Sequence, residues 1–457
     1  MSCPHILAVP YPAQGHVIPL LELSQCLVKH GCRVTFVNTE HTHNRVMNDL
    51  HEKNSIGGEN QIHLASIPDG LEPWEDRNNL SKVMEVTRKV MSEKLEELIE
   101  KINREKDGKI ICVIVDGTAG FTIPVVEKMK IRKVVFWPCA VASLALFYNI
   151  PKLIDDGIID KDGTPVKKQI IQLAQNIPKI DSTKLIWTSL GSEDLTSHKR
   201  MFELLYNNIE ASKAADYLIC NSVYDLEPEA FTLVPNILPI GPLLPSIRRH
   251  SSGSFWAEDS TCLKWLDQQQ PHSVIYVAFG SFTVLDKTQF QELALGLELT
   301  NRPFLWVVRP DITDEANEAY PDGFQERVAG RGQLVGWAPQ QKVLSHPSIA
   351  CFFSHCGWNS TLEGVSNGLP FLCWPYFADQ FIDESYICDL WKVGLKFNKD
   401  ESGIITKEEI KSKVEKVLGD ESVKARALEL QEAALKSVKE GGYSERNFKK
   451  LIEWIKA

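Results

Sequence analysis

Trp337 to Gln380 reads WAPQQKVLSHPSIACFFSHCGWNSTLEGVSNGLPFLCWPYFADQ. At its centre the apolar run Ser348 to Ser354 reads as a strand. The run breaks at His355-Cys356-Gly357, and a helical pattern begins near Asn359-Ser360-Thr361. A glycine at such a break lets a ligand approach the backbone closely, and the first helical amides point outward as an anion site. Trp337 precedes the strand, Glu363 lies one turn into the helix, and Asp379-Gln380 follows Trp374-Pro375. That inventory fits a ligand combining an aromatic base, a ribose, a diphosphate and a sugar.

The same strand-then-helix pattern extends outward in both directions. Before the quoted block lie RVTFVNT, IHLASIP, ICVIVDG, KVVFWP and DYLICNS, then VIYVAFGS and FLWVVRP; GQLVGWAP runs into it, PFLCWP lies within it and VGLKFN follows. Continuous apolar strands separated by helical stretches predict parallel sheets covered on both faces. A length of 457 residues suits two domains. The Pro/Ser/Gly-rich stretch 242–260, PLLPSIRRHSSGSFWAEDS, is the linker candidate, which places one domain at 1–241 and a second at 261–440.

At the amino terminus, His5 to Pro10 reads as a buried first strand and YPAQGH as a loop. A helix is predicted to start around His16 to Pro19, with the proline in its first turn. His16 therefore sits at the rim beyond a strand's carboxyl end, where open parallel sheets bind ligands. The positive potential of a helix start is expected to disfavour the imidazolium and keep a neutral base near pH 7. Asp116 ends the run ICVIVDG at another strand rim, where it also has the character of an N-cap for a helix after Gly117.

The block from Trp337 to Gln380 resembles the donor-binding signature of plant UDP-dependent glycosyltransferases, the secondary-product glycosyltransferase box, and the resemblance extends over nearly the whole chain. It implies the GT-B fold: two Rossmann-like, doubly wound parallel-sheet domains facing across a cleft, with a helix at 441–457 crossing back to the first domain. Residue by residue, it implies that Trp337 stacks on uracil, that Ala338 and Gln340 hold the uracil edge, and that Gln340 also faces the ribose. Glu363 would accept from the ribose hydroxyls. His355, Asn359 and Ser360 would contact the diphosphate, as would the Gly280-Ser281 turn. Trp358, Asp379 and Gln380 would face the transferred sugar, and a terminal Gln goes with glucose as the usual donor. His16 and Asp116 resemble the family's dyad, a general base and the carboxylate that orients it. Relatives often have a hydroxyl-bearing residue after the strand-end Trp; here Trp137 is followed by Pro138, and Ser143 is the nearest substitute.

These features lead to an inverting glucosyltransferase that moves glucose from UDP-glucose to a hydroxyl of a small lipophilic plant metabolite. UDP-glucose is a co-substrate, and no cofactor or metal is expected. Trp74, Phe121, Phe147 and Phe202 are candidates for the acceptor pocket or, equally, for core. Net charge of −10 argues against a nucleic-acid surface, so an anionic donor must be held by local groups. The eleven cysteines include no CxxC pair and fit free thiols in a reducing compartment. With no signal-peptide pattern and no membrane span, the chain is expected to be a cytoplasmic monomer. An oxidoreductase on the same architecture would need a GxGxxG string, which is absent. The remaining alternative is a catalytically silent UDP-sugar-binding protein.

Overall fold

The computed structural model describes residues 3–43, 45, 62–72, 74–75, 77, 80–105, 108–190, 195–243, 256–313 and 319–457. The chain divides into two compact units. The first is Met1–Phe255 with Phe377–Asp379 and Lys436–Ala457; the second is Trp256–Tyr376 with Gln380–Leu435. Most of the expected linker, 244–255, lies outside the described residues.

In the first unit the strands are β1 (His5–Val9), β2 (Arg33–Thr39), β3 (His63–Ile67), β4 (Ile110–Asp116), β5 (Arg132–Trp137), a short β6 (Ile170–Ile171) and β7 (Ile180–Asp181), β8 (Tyr217–Cys220) and β9 (Ile237–Pro239). Seven of these form a sheet in the order β3-β2-β1-β4-β5-β8-β9, all parallel, while β6 and β7 pair as an antiparallel ribbon. The second unit has β10 (Val274–Ala278), β11 (Phe304–Val307), β12 (Gly332–Val335), β13 (Ile349–Ser354), β14 (Phe371–Cys373) and β15 (Gly394–Lys396). They form a parallel sheet in the order β12-β11-β10-β13-β14-β15.

The central strands β1, β10 and β13 are buried along their whole length, as expected where helices cover both faces of a sheet. The first core joins Ile6, Val34, Phe36, Cys112, Ile114 and Phe136 to the helix Gln14–Lys29 and to Leu451, Ile452 and Ile455. These last three lie on the helix Tyr443–Lys456, which belongs to the first unit although it ends the chain. The second core gathers Ile275, Val277, Phe290, Trp306, Phe353 and Leu372 around its own sheet.

One expected boundary moves, and the shortest strands were not expected. The first helix begins at Gln14, so Pro19 lies inside it rather than in its first turn, and the helix forgoes a backbone bond there. The two-residue β6 and β7 and the strand β9 went unpredicted: β9 has only three residues and includes a proline, which a sheet tolerates at an edge such as this one.

Candidate active site

In the first unit, β1 and β4 are neighbours, and their carboxyl ends bring His16 and Asp116 together across a hundred residues of sequence. His16 Nδ1 lies 2.9 Å from Asp116 Oδ2. Asp116 is fully buried, whereas the His16 side chain keeps 20% of its exposure. The other carboxylate oxygen, Oδ1, accepts from Thr118 N at 2.8 Å and caps the short helix Gly117–Thr122. Asp116 is thus both N-cap and histidine partner, one oxygen for each. The cap is braced from behind: Asn208 Nδ2 donates to Thr118 O at 2.8 Å, and Ser212 Oγ to Gly117 O at 3.2 Å. With Nδ1 donating to the carboxylate, Nε2 of His16 is the nitrogen left to act as a base. The Tyr11 ring sits edge-on to the imidazole, 5.3 Å between centroids.

Burial by itself lowers the His16 pKa, but the charge and hydrogen bond of Asp116, with the charge of Asp379 added, outweigh it; the imidazole sits above its ordinary value of 6.5. The expectation that the helix start would disfavour the imidazolium is corrected in direction by this, since the shift runs upward. His16 occupies the third helical position, within the first turn, and a buried carboxylate in direct contact outweighs the partial charge of the helix end. Asp379, grouped with the first unit, has its own carboxyl raised by burial, while Cys139 and His16 oppose that rise.

In the second unit the quoted block folds around β13. The helix that follows it is Trp358–Ser366, capped by Gly357, so neither Asn359 nor Ser360 is the N-cap. Ser360 Oγ accepts from Gln340 Nε2 at 2.9 Å. The same nitrogen donates to Glu363 Oε2 at 2.7 Å, and Gln341 Nε2 donates to Oε1 at 2.7 Å. Tyr276 OH lies 3.2 Å from Gln340 Oε1, which fixes the amide's orientation. Glu363 is therefore held by two consecutive glutamines. Trp337 is half-buried just after β12, its carbonyl accepting from Asp259 N at 2.9 Å, and Ala338 is buried beside it.

His355 follows β13 and its ring fills the space left by two glycines. A Cβ on Gly280 would come within 2.5 Å of Nε2, and one on Gly357 within 2.7 Å. Gly280 has φ +67°, the left-handed region, and Ser281 follows it near the start of the loop after β10. Burial pushes the His355 pKa down to about 4, with Arg309 contributing, against a backbone hydrogen bond to Ala278. At neutral pH His355 is thus an uncharged imidazole, not a cation. Trp358 is only 2% exposed and packs against Tyr386 and Trp391, so its ring belongs to the core. Gln380 is buried and its Oε1 accepts from Tyr376 N at 2.7 Å.

Tyr276, Gln341 and Arg309 were not read from the sequence. A tyrosine inside VIYVAFGS looks like any buried strand residue, and Gln341 is masked by its neighbour Gln340. Arg309 did leave a signal, a charge closing the apolar run FLWVVRP. The Ser143 hydroxyl is buried and donates to Ala140 O at 2.6 Å, an internal bond. Of the acceptor candidates, Phe121, Phe147 and Phe202 are buried and Trp74 is 80% exposed. Phe147 and Phe202 both pack on Trp187. Among the described residues no group of three or more His, Cys, Asp or Glu could hold a metal ion, and no helix is long and apolar enough to cross a membrane.

Residues 17–435 match the family model described as "UDP-glucoronosyl and UDP-glucosyl transferase". UDP-glycosyltransferase 83A1 of Arabidopsis thaliana is 46% identical over 472 residues, covering 100% of this chain and 98% of its own. Linamarin synthase 1 of Manihot esculenta is 35% identical, covering 99% and 97%. The 7-deoxyloganetin glucosyltransferase of Catharanthus roseus is 32% identical, again covering 99% and 97%. Among solved structures, Os79 from O. sativa in complex with UDP superposes with TM-score 0.81 at 25% identity, covering 98% of this chain and 100% of that one. A UDP-glucosyltransferase from Polygonum tinctorium capable of glucosylating indoxyl, in complex with 3,4-dichloroaniline, gives 0.84 at 28% identity, covering 100% and 99%. The two parallel-sheet units are those of the GT-B class.

Proposed function

This chain belongs to the UDP-glycosyltransferase family, and from that premise we propose that it moves glucose from UDP-glucose to a hydroxyl of a small lipophilic plant metabolite. The observation that carries the mechanism is the 2.9 Å contact of His16 Nδ1 with Asp116 Oδ2. His16 Nε2 takes the acceptor's proton as its oxygen attacks the anomeric carbon, and UDP leaves from the opposite face, giving a β-glucoside from an α-linked donor. Asp116 orients the ring and stabilises the imidazolium as it forms. Trp337 and Ala338 hold the uracil. Gln340 and Glu363 hold the ribose, and Glu363 still has lone pairs to offer after accepting from both glutamines. Ser281, His355, Asn359 and Ser360 face the diphosphate, joined by the amides at the start of helix Trp358–Ser366. Asp379 and Gln380 face the sugar, and Trp358 supports that region from the core with its ring.

The reaction so proposed draws on no metal or cofactor, and turnover is expected to be unchanged by a chelator. A monomer in the cytoplasm is part of the same proposal; the free thiols of all eleven cysteines fit a reducing compartment. The test is UDP release from UDP-glucose with a mixed set of plant phenolics, terpenoids and hormones, with products read by mass spectrometry. A product heavier by one hexosyl unit supports the proposal and identifies the acceptor class. Tight UDP binding with no product from any acceptor or UDP-sugar would instead support the silent binder.

A further inference from the structure

Arg309 lies two residues past the end of β11, and its side chain is 2% exposed. A guanidinium does not lose its proton in a protein, so burying one requires partners for its charge and its five N–H groups. Here Nη2 donates to Thr283 O at 2.5 Å, while Nε and Nη1 are buried without a hydrogen bond. Among the described residues the carboxylate oxygen paired with it is Asp311 Oδ1, 3.6 Å from Nε on a side chain more than half exposed, where water screens its charge. Such a group is costly to the fold by itself and calls for an anion close by.

The surroundings indicate which anion. Strands β11, β10 and β13 are adjacent, and beyond their carboxyl ends lie Arg309, the Gly280–Thr283 loop and His355. Thr283 Oγ1 and His355 Nδ1 are likewise buried without hydrogen bonds. The charge on Arg309 is felt at His355, where it adds to burial in holding the imidazole neutral. With His355 uncharged, the pocket assigned to the diphosphate contains hydrogen-bond donors but takes its positive charge from behind.

We propose that Arg309 is the fixed positive charge that holds the donor diphosphate, acting through the field across the His355 and Thr283 layer and not by direct contact. It is a positioning residue, and the proposal rests on the reading that the His355 loop receives the diphosphate. In a buried, poorly screened setting a charge several ångströms away still contributes substantially.

Calorimetric titration of the full chain with UDP and with uridine separates this role from simple support of the loop. Arg309→Met is expected to weaken UDP about tenfold and to leave uridine within about twofold. Asp311→Asn, which removes an exposed countercharge and is safe for folding, is expected to tighten UDP about twofold with uridine unchanged. Equal losses of UDP and uridine in Arg309→Met, or a UDP affinity that fails to rise in Asp311→Asn, would overturn the proposal. If Arg309→Met does not fold, Asp311→Asn decides by itself. A wild-type protein that binds UDP no tighter than uridine would overturn the diphosphate reading first and this inference with it; a clear wild-type preference left intact by Arg309→Met overturns this inference alone.

Discussion

At the residue scale one buried carboxylate serves two neighbours. Asp116 caps a helix through Oδ1 and orients His16 through Oδ2. Asn at this position can still accept from Thr118 N, so Asp116→Asn is expected to fold while kcat falls about 10²–10⁴-fold. His16→Ala should abolish most transfer to a hydroxyl and leave the affinity for UDP near wild type. A base works only when neutral, so kcat/KM is expected to fall with decreasing pH through a value above 6.5, because the His16 pKa is raised. In Asp116→Asn that acidic limb should move to lower pH; a limb that stays in place would mean another group is the base. The same shift has a stability sign. Because the folded pKa is raised, the pair stabilises the fold fully below pH 6.5, and this is lost as pH rises through the folded value. The local patterns showed both residues at strand ends, and the family resemblance joined them as a pair. The direction of the His16 shift was not legible, because it is the balance of burial against the charge and hydrogen bond of Asp116, with a smaller contribution from Asp379, and burial is set by the fold.

At the element scale, the strand ends are shaped by residues that have little side chain or a distant partner. Gly280 at φ +67° faces the His355 ring, so Gly280→Ala incurs about 1 kcal/mol or more of backbone strain and pushes the ring out of place. UDP titration should show weakened binding together with a modest drop in Tm; unchanged binding would mean that the His355 loop adapts freely. Helix Val141–Tyr148 has no local cap. Its first amides, Val141 N and Ala142 N, instead donate to the buried Glu227 carboxylate at 3.0 and 3.1 Å, as does Ser222 Oγ at 2.5 Å. Glu227→Ala is expected to destabilise the first unit by about 3 kcal/mol, read from urea unfolding, since it leaves three buried donors without that acceptor. No sequence window contains both the helix start and Glu227, so no motif announces this cap. Most strands of the two parallel sheets were legible from short runs rich in apolar residues; β6, β7 and β9 were not, having only two or three residues each, and β9 also contains a proline at a sheet edge.

At the scale of the whole molecule, the end of the chain completes its beginning. Helix Tyr443–Lys456 contributes Leu451, Ile452 and Ile455 to the first core, and Asn447 Nδ2 donates to Pro239 O at 3.0 Å. Arg132 Nη1 donates to Trp454 O at 2.7 Å while its guanidinium lies 5.2 Å from the Trp454 ring centre. Burial of three aliphatic side chains contributes on the order of 5 kcal/mol. Truncation before Tyr443 is therefore expected to unfold or aggregate the amino-terminal unit while sparing the second, with hydrogen exchange accelerated across β1, β2 and β5. Exchange speeding up only near residue 435 would contradict the helix's part in that core. The net charge of −10 gives no general attraction for an anion, so the proposed donor recognition would rest on local groups such as the helix start and the strand-end residues.

The sequence by itself determined the layered α/β class, the division into two units and the strand-then-helix block from Trp337 to Gln380. Those are carried by apolar runs, glycine breaks and a contiguous motif, all of which are local. Tertiary structure alone decided which polar groups meet: Gln341 with Glu363, Tyr276 with Gln340, Glu227 with a helix start, and Arg309 with Thr283. A parallel sheet joins strands distant in sequence, so partners at its carboxyl edge are set by strand order and register. Burial then fixes how strongly each pair perturbs its members, and a linear pattern of residue types contains neither quantity.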